Sequence, residues 1–259
     1  MNSPYLDWPA VGALWLREMR RFLRMRSRLV GTLVMPILLF LYLGMGLNRV
    51  IVGGLEGTAY DTYVLPGILA MSLLLSSTFA GISVLWDREF GFLREIMVAP
   101  VSRLSIVLGR IAGGVTTTLI QAAIITAAGV ATGFRFASAR LLPVGLAVLV
   151  LASIGFIALG LVFASRLRDT QGFNMVMSFV ILPLLLLSGA LFPLATAPAA
   201  LRLLSLLDPL TYTVDGLHAC LLGRSALPLA LDLGVVAAFA TVTVLAGTAL
   251  FQRTEGTKG

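Results

Sequence analysis

Charge is scarce in this chain, since 12% of its 259 residues are charged and 58% are hydrophobic. With a mean hydropathy of +0.98, this composition excludes an ordinary soluble domain and indicates a membrane protein. Catalytic motifs are also missing: there is no GxxxxGKS/T phosphate loop, no HExxH zinc motif and no GxSxG nucleophile elbow. One cysteine, Cys220, and one histidine, His218, cannot build a common metal site. We therefore expect that the chain is not an enzyme.

Long runs without charge are what the sequence has instead. Six intervals lack Asp, Glu, Lys and Arg, and each reaches the roughly 20 residues that a membrane-crossing helix needs. They cover residues 29–48, 62–86, 111–134, 141–165, 170–201 and 233–252. Because these runs are apolar on all sides, helices are favoured. We predict an all-α membrane protein with six transmembrane helices, at about 29–48, 64–86, 107–133, 142–165, 173–193 and 231–252.

The charges between these intervals predict the topology. If the loops alternate sides, fourteen of the nineteen basic residues fall on the side of the two termini and five on the other. By the positive-inside rule, both termini are then cytoplasmic. The net charge of +7 is explained by topology and by contact with anionic lipid, and no nucleic-acid partner is expected. All twelve acidic residues lie outside the six intervals, which counts against an ion-coupled carrier.

Residues 5–28 are predicted to form an amphipathic helix at the membrane surface. Trp8 and Trp15 recur at helical spacing on one side, and Arg17, Arg21 and Arg24 fall on the opposite side of the helical wheel. The tryptophans would lie at the lipid boundary and the arginines toward the cytoplasm. The alternative is a transmembrane helix that is merely flanked by arginines that set its topology.

Residues 86–103, WDREFGFLREIMVAPVSR, form the most polar internal segment of the chain. The segment mixes charges with apolar side chains such as Phe90 and Leu93, which a merely solvated loop does not need. A short helix that ends before Pro100, with apolar side chains and charged flanks, suits docking into a groove of a soluble partner. The alternative is an amphipathic connector at the membrane surface.

After the fifth apolar run, residues 194–222 contain apolar pieces that are too short to span a membrane. Pro193 precedes them, and Asp208 and Pro209 separate two short helical patterns, the second of which contains Tyr212. We predict a re-entrant helical hairpin on the outer face. Asp215 and His218, one helical turn apart, could form a polar pair there or simply lie at a solvated rim.

An apolar substrate path is one interpretation of side chains on two of the predicted spans. These residues are Met71, Leu75 and Phe79 on the second span and Phe179 and Leu187 on the fifth. Ordinary helix packing explains each of them equally well.

The sequence resembles the permease subunits of type-two ATP-binding-cassette exporters, which include bacterial drug-resistance and lipo-oligosaccharide export permeases. The resemblance covers nearly the whole chain. It is carried by the basic N-terminal helix, by REFGFLREIMVAPVSRLSIVLGR after the second span, by LLLLSGALFPLATAPAALRLLSLLDPLTYTVDGL through the fifth, and by the final helix.

The resemblance implies that the segment after the second span is the coupling helix that contacts the ATPase. It places Arg88, Glu89, Phe90, Gly91, Leu93, Arg94 and Glu95 in that role. A permease of this kind dimerises and works with two copies of a cytoplasmic ATPase, which holds the ATP and Mg. We expect an efflux subunit in the bacterial inner membrane that exports an amphipathic, lipid-linked or drug-like molecule. The alternative is an ion-coupled carrier or a non-transporting membrane scaffold.

Overall fold

The computed structural model describes residues 7–47, 60–89, 102–167 and 169–256, and within these ranges the chain forms helices and no strands. The α-helices of the described ranges, in chain order, are α1 (Trp8–Arg24), α2 (Arg26–Leu47), α3 (Tyr60–Glu89), α4 (Arg103–Ala131), α5 (Leu142–Arg166), α6 (Thr170–Leu187), α7 (Ala199–Ser205), α8 (Pro209–Leu222) and α9 (Leu229–Gly256). Short 3₁₀ turns at Ala139–Leu141 and Leu194–Thr196 precede α5 and α7. The all-helical fold predicted from the sequence is confirmed.

Five of these helices are long and apolar enough to cross a membrane: α3, α4, α5, α6 and α9. Helix α2 adds a shorter apolar stretch, Val30–Gly44. The chain is therefore a multi-pass membrane protein with five to six spanning helices. Pro36, Pro66 and Pro183 lie inside α2, α3 and α6, which a membrane helix tolerates when its neighbours satisfy the freed backbone groups.

Helix α3 lies at the centre of the bundle. Within an apolar stretch of 18 residues in α3, 78% of the residues are buried. The buried fraction of the corresponding stretch is 17% in α6 and 22% in α9. One apolar cluster surrounds its first half, with Leu65, Leu69 and Phe156. A second cluster surrounds its last turns, with Leu85 and Phe173. Since lipid is as apolar as these side chains, close packing rather than exclusion of water holds the two clusters together.

Three carboxylates lie within the stretches that are long and apolar enough to span, although all twelve acidic residues lie outside the charge-free intervals of the sequence. The spanning stretches Tyr60–Asp87 and Leu229–Leu250 include Asp61, Asp87 and Asp232. The physical reason is that these helices continue beyond the charge-free runs from which the spans were predicted. Asp232 is fully buried, and neither of its carboxylate oxygens has a hydrogen-bond partner among the described residues.

Candidate functional site

Asp87, near the end of α3, binds arginines from two other helices. Its carboxylate accepts hydrogen bonds from Arg110 of α4 at 2.7 Å, from Arg17 of α1 at 2.5 Å and from Arg21 of α1 at 3.5 Å. The Asp87 side chain is 9% exposed and that of Arg110 is 7% exposed. We call these four residues the arginine clamp, because they join α1, α3 and α4 through one carboxylate.

The clamp places α1 against the bundle. Arg17 and Arg21 are separated by one helical turn, so both guanidinium groups reach Asp87 from the same side of α1. The Arg21 guanidinium also lies 5.5 Å from the centre of the Trp86 ring, at a distance typical of a cation–π contact. Two of the arginines predicted to face the cytoplasm thus contact α3.

Helix α1 lies directly on α4 because α4 has glycines at the contact. A Cβ added at Gly109 would come within 2.7 Å of Leu14 Cβ, and one added at Gly113 within 2.7 Å of Glu18 Cβ. The spacing of four residues puts both glycines on one face, where small residues let two helices approach closely. Trp15 strengthens the contact, since its Nε1–H donates to Thr116 Oγ1 at 3.0 Å. Trp8, by contrast, is 69% exposed.

The start of α4 is also tied to α1. Ser102 is the N-cap of α4, and its hydroxyl accepts a hydrogen bond from the Ser105 backbone N–H at 3.2 Å. The Asp7 backbone N–H donates to Ser105 Oγ at 2.9 Å, while the Asp7 carboxylate caps α1. Helix α1 therefore contacts both ends of the connection between α3 and α4.

The predicted coupling residues belong to that connection. Arg88 and Glu89 complete the last turn of α3. The other predicted residues, Phe90, Gly91, Leu93, Arg94, Glu95 and Pro100, lie outside the residues that the structure describes. What the structure adds is the clamp next to them. No local sequence pattern indicates the clamp, because Arg17 and Asp87 are 70 residues apart.

We predict that Asp87→Asn destabilises the protein by about 3 kcal/mol, because the buried Arg110 loses its charged partner. The measurement is thermal unfolding of the purified protein in detergent. Asp169→Asn is the matched control: it makes the same charge change at an exposed N-cap, where asparagine caps equally well. Equal unfolding temperatures for Asp87→Asn and the control would show that the clamp does not stabilise the fold.

The predicted hairpin region contains two short helices. Helix α7 has 7 residues and α8 has 14, and neither is long enough to cross a membrane. They meet at Asp208 and Pro209, and the Tyr212 hydroxyl donates to the Leu206 carbonyl at 2.8 Å across this turn. The polypeptide reaches α7 after Pro193 through a 3₁₀ turn. Most of α8 is buried, whereas Leu203 and Leu207 of the α7 side are 71% and 82% exposed.

Asp208 caps α8 from a buried position. One carboxylate oxygen accepts the Leu210 N–H at 2.8 Å, and the other has no partner among the described residues. Asp208 as a whole is 3% exposed. Loss of solvation raises the pKa of Asp208 to about 7, although the Leu210 hydrogen bond acts in the opposite direction. The turn therefore carries an acid that titrates near neutral pH.

We predict that Asp208→Asn stabilises the protein at high pH, because asparagine keeps the cap without a buried charge. A carboxyl group whose pKa is raised on folding stabilises least when ionised, so the gain should grow from about pH 4 to about pH 7 and stay constant above. Unfolding temperatures between pH 4 and 8 measure it, with Asp169→Asn as the exposed control. Parallel pH profiles of wild type and Asp208→Asn would contradict the burial argument.

A cavity of about 580 Å³ lies between the hairpin, the start of α3 and the connection that leads to α9. His218 of α8 stacks on Tyr63 of α3, with ring centres 4.7 Å apart, and its Nε2–H donates to the Tyr63 carbonyl at 3.0 Å. Burial lowers the pKa of His218. Asp215 accepts the backbone N–H groups of Ala226 and Leu227, both at 2.8 Å. The hydrogen bonds of Asp215 and His218 thus hold separate parts of the cavity wall.

The residues predicted for a substrate path lie on partly open helix faces. Met71, Leu75 and Phe79 follow one another at one-turn spacing on α3, and all three are half-buried. Phe179 on α6 is 72% exposed, and Leu187 is half-buried. Phe179 belongs to an exposed apolar stripe on α6, which consists of Met175, Phe179, Leu182 and Leu186.

A buried polar network inside the membrane region was not predicted. Gln121 of α4 donates to Thr32 Oγ1 of α2 at 3.0 Å and accepts a hydrogen bond from Ser76 of α3. The sequence does contain a signal for this network, because Gln121 is the one amide side chain in the charge-free interval 111–134. Its amide is satisfied by the two hydroxyls, so the network joins three helices.

Together these features define a multi-pass helical membrane protein whose N-terminal helix is fixed beside a charged connection and whose last spans are separated by a short hairpin. The ABC-2 type transporter family model matches residues 9–222. The chain belongs to this family and is a membrane transport subunit.

Full-length relatives support the assignment. The chain is 29% identical over 258 residues to the inner membrane transport permease YadH of Escherichia coli (strain K12), covering 97% of this chain and 98% of the relative. It is 28% identical over 252 residues to nodulation protein J of Rhizobium leguminosarum bv. viciae, covering 95% and 96%. Nodulation protein J of Bradyrhizobium diazoefficiens is 28% identical over 257 residues, covering 98% and 95%.

Proposed function

We propose that this chain is the membrane-spanning half of an ATP-driven exporter, and that residues 86–103 form the contact with its ATPase. The observation that carries the proposal is that α1 contacts both ends of this connection, through Asp87 and through Ser105. A force applied to the segment would be passed to α1, α3 and α4 together. Such a rigid-body movement is one of the established ways to change access across a membrane.

The energy source is a separate chain in this proposal. Because this sequence has no phosphate loop, ATP and Mg bind to a cytoplasmic ATP-binding-cassette subunit. Two copies of that subunit work with the permease. Family membership supports such a partner. Closure of the two ATPases would move the coupling segments and open the path to the outside.

Two permease copies would form the path. The exposed stripe on α6, with Phe179 and Leu182 at its centre, is the face that we propose for contact with a second copy or with substrate. The half-buried face of α3, which carries Met71, Leu75 and Phe79, would continue it. The apolar character of both faces suits an amphipathic, lipid-linked or drug-like substrate.

The hairpin at 194–222 is proposed as a lid on the outer face. Helices α7 and α8 are too short to cross, and exposed leucines on α7 suit contact with the outer leaflet or with the second copy. Pro193, Asp208, Pro209 and Tyr212 shape the turns of the lid. The cavity beneath it is then on the exit side.

We predict that the double variant Glu89→Ala and Arg94→Ala loses its ATPase. A charge-assisted contact contributes roughly 1.5 to 3 kcal/mol, so affinity should fall at least tenfold. The measurement is ATPase activity that co-purifies with tagged permease from native membranes. Arg135→Ala with Arg140→Ala is the matched control, since both arginines are exposed and would lie on the outer face. Undiminished ATPase recovery with the Glu89 and Arg94 double variant would refute the coupling role.

The ion-coupled alternative is favoured by one observation, the buried carboxylate of Asp232 in α9, which has no hydrogen-bond partner in the part of the chain that the structure describes. Such a carrier would keep transporting without any ATPase and would stop when Asp232 is replaced by asparagine. An exporter driven by ATP would show the opposite pair of results. Transport assays without the ATPase and with Asp232→Asn therefore distinguish the two functions.

The orientation is a separate prediction. The excess of basic residues on one side places both termini and residue 94 in the cytoplasm of a bacterial inner membrane. Single cysteines at position 94 and at position 56, made after Cys220→Ser, should respond differently to an impermeant thiol reagent added to intact spheroplasts. Position 56 should react and position 94 should react only after lysis. Labelling of position 94 from outside would overturn the topology.

A further inference from the structure

A groove of about 570 Å³ runs along α1 toward the start of α2. Ala13, Leu16 and Met25 form its apolar part. The charged part consists of the four arginines Arg17, Arg20, Arg21 and Arg24. The groove thus combines an apolar wall with a cationic rim along α1 and its C-cap residue, Met25.

Positive charge is in excess around this groove. Asp87 is the carboxylate that Arg17 and Arg21 bind, and it is shared with Arg110. Two acidic residues belong to α1 and its cap: the Asp7 carboxylate caps the helix, and Glu18 is buried with its Cβ and Cγ against Gly113. Arg20 and Arg24 are exposed beside the clamp. An anion bound here would reduce the repulsion among the arginines.

The surroundings of the groove indicate what carries that anion. Leu16 is 42% exposed, Leu23 is 66% exposed and Trp8 is 69% exposed. Large apolar side chains on a helix that is otherwise basic are typical of contact with the boundary of a bilayer. The ligand that matches both parts is a phosphate group attached to acyl chains.

We propose that the α1 groove is a binding site for one anionic phospholipid of the adjoining leaflet. Its headgroup phosphate binds Arg20 and Arg24, and its glycerol and upper acyl region lie along Leu16 and Met25. The site is preorganised, because the contacts of Leu14 and Glu18 with α4 and the clamp at Asp87 fix the helix that carries it. An acidic protein surface would satisfy the arginines but would leave Trp8 and Leu23 in contact with water.

The experiment uses the purified full-length permease in neutral detergent, without any ATPase, so its outcome is independent of the proposed export function. Native mass spectrometry follows titration with phosphatidylglycerol, with phosphatidylcholine or with inorganic phosphate. We expect phosphatidylglycerol to bind at one molecule per chain at concentrations where phosphatidylcholine and phosphate do not. Each arginine near a membrane surface contributes roughly a fivefold gain in affinity, so Arg20→Gln with Arg24→Gln should weaken binding about 10- to 30-fold.

Arg135→Gln with Arg140→Gln is the matched control, because it removes the same charge from exposed positions away from the groove. An unchanged affinity in this control supports the site. An equal loss in both double variants would mean diffuse attraction, equal binding of phosphatidylcholine would mean an apolar annulus, and binding of phosphate alone would mean a free-anion site. An unaltered affinity in the Arg20 and Arg24 variant would place the lipid elsewhere. Each of these four results overturns the proposal.

Discussion

The interaction on which the arrangement of α1, α3 and α4 depends is the bonding of one carboxylate to three guanidinium groups. Asp87 lies near the end of α3, the most buried of the five helices able to span a membrane, and its carboxylate binds Arg110 from α4 and Arg17 and Arg21 from α1. A buried arginine without such a partner is costly, since desolvation of its charge is not offset. The carboxylate therefore determines where α1 lies, and α1 in turn contacts the start of α4.

This arrangement gives a structural meaning to the polar segment between α3 and α4. The two ends of this connection, at Asp87 and at Ser105, both contact α1 or its cap, so a displacement of either end is passed on to that helix. Gly109 and Gly113 of α4 let α1 pack in close contact, so the two helices have little room to move relative to each other. In the proposed exporter, a force that the ATPase applies to residues 86–103 therefore moves α1, α3 and α4 together.

Much of the fold could be predicted from the sequence because membrane helices have a strong signal: runs without charge that are long enough to span. The amphipathic helix before the first run and the break at Asp208 follow from equally local patterns, periodicity and turn residues. The partners of Asp87 could not be predicted, since they are distant in sequence and any of the basic residues could have filled the role. The predicted last span, 231–252, already includes Asp232, but the complete burial of its side chain could not be predicted, because burial depends on the helices that pack around α9.

The most direct test of the account is hydrogen–deuterium exchange of the permease with Asp87→Asn, compared with wild type. If the clamp joins α1 to both ends of the connection, exchange should become faster in α1, in the connection 90–101 and in the first turns of α4, while α5 and α8 stay unchanged. Faster exchange confined to the last turn of α3, with α1 unaffected, would show that α1 is held independently of Asp87 and would contradict the account.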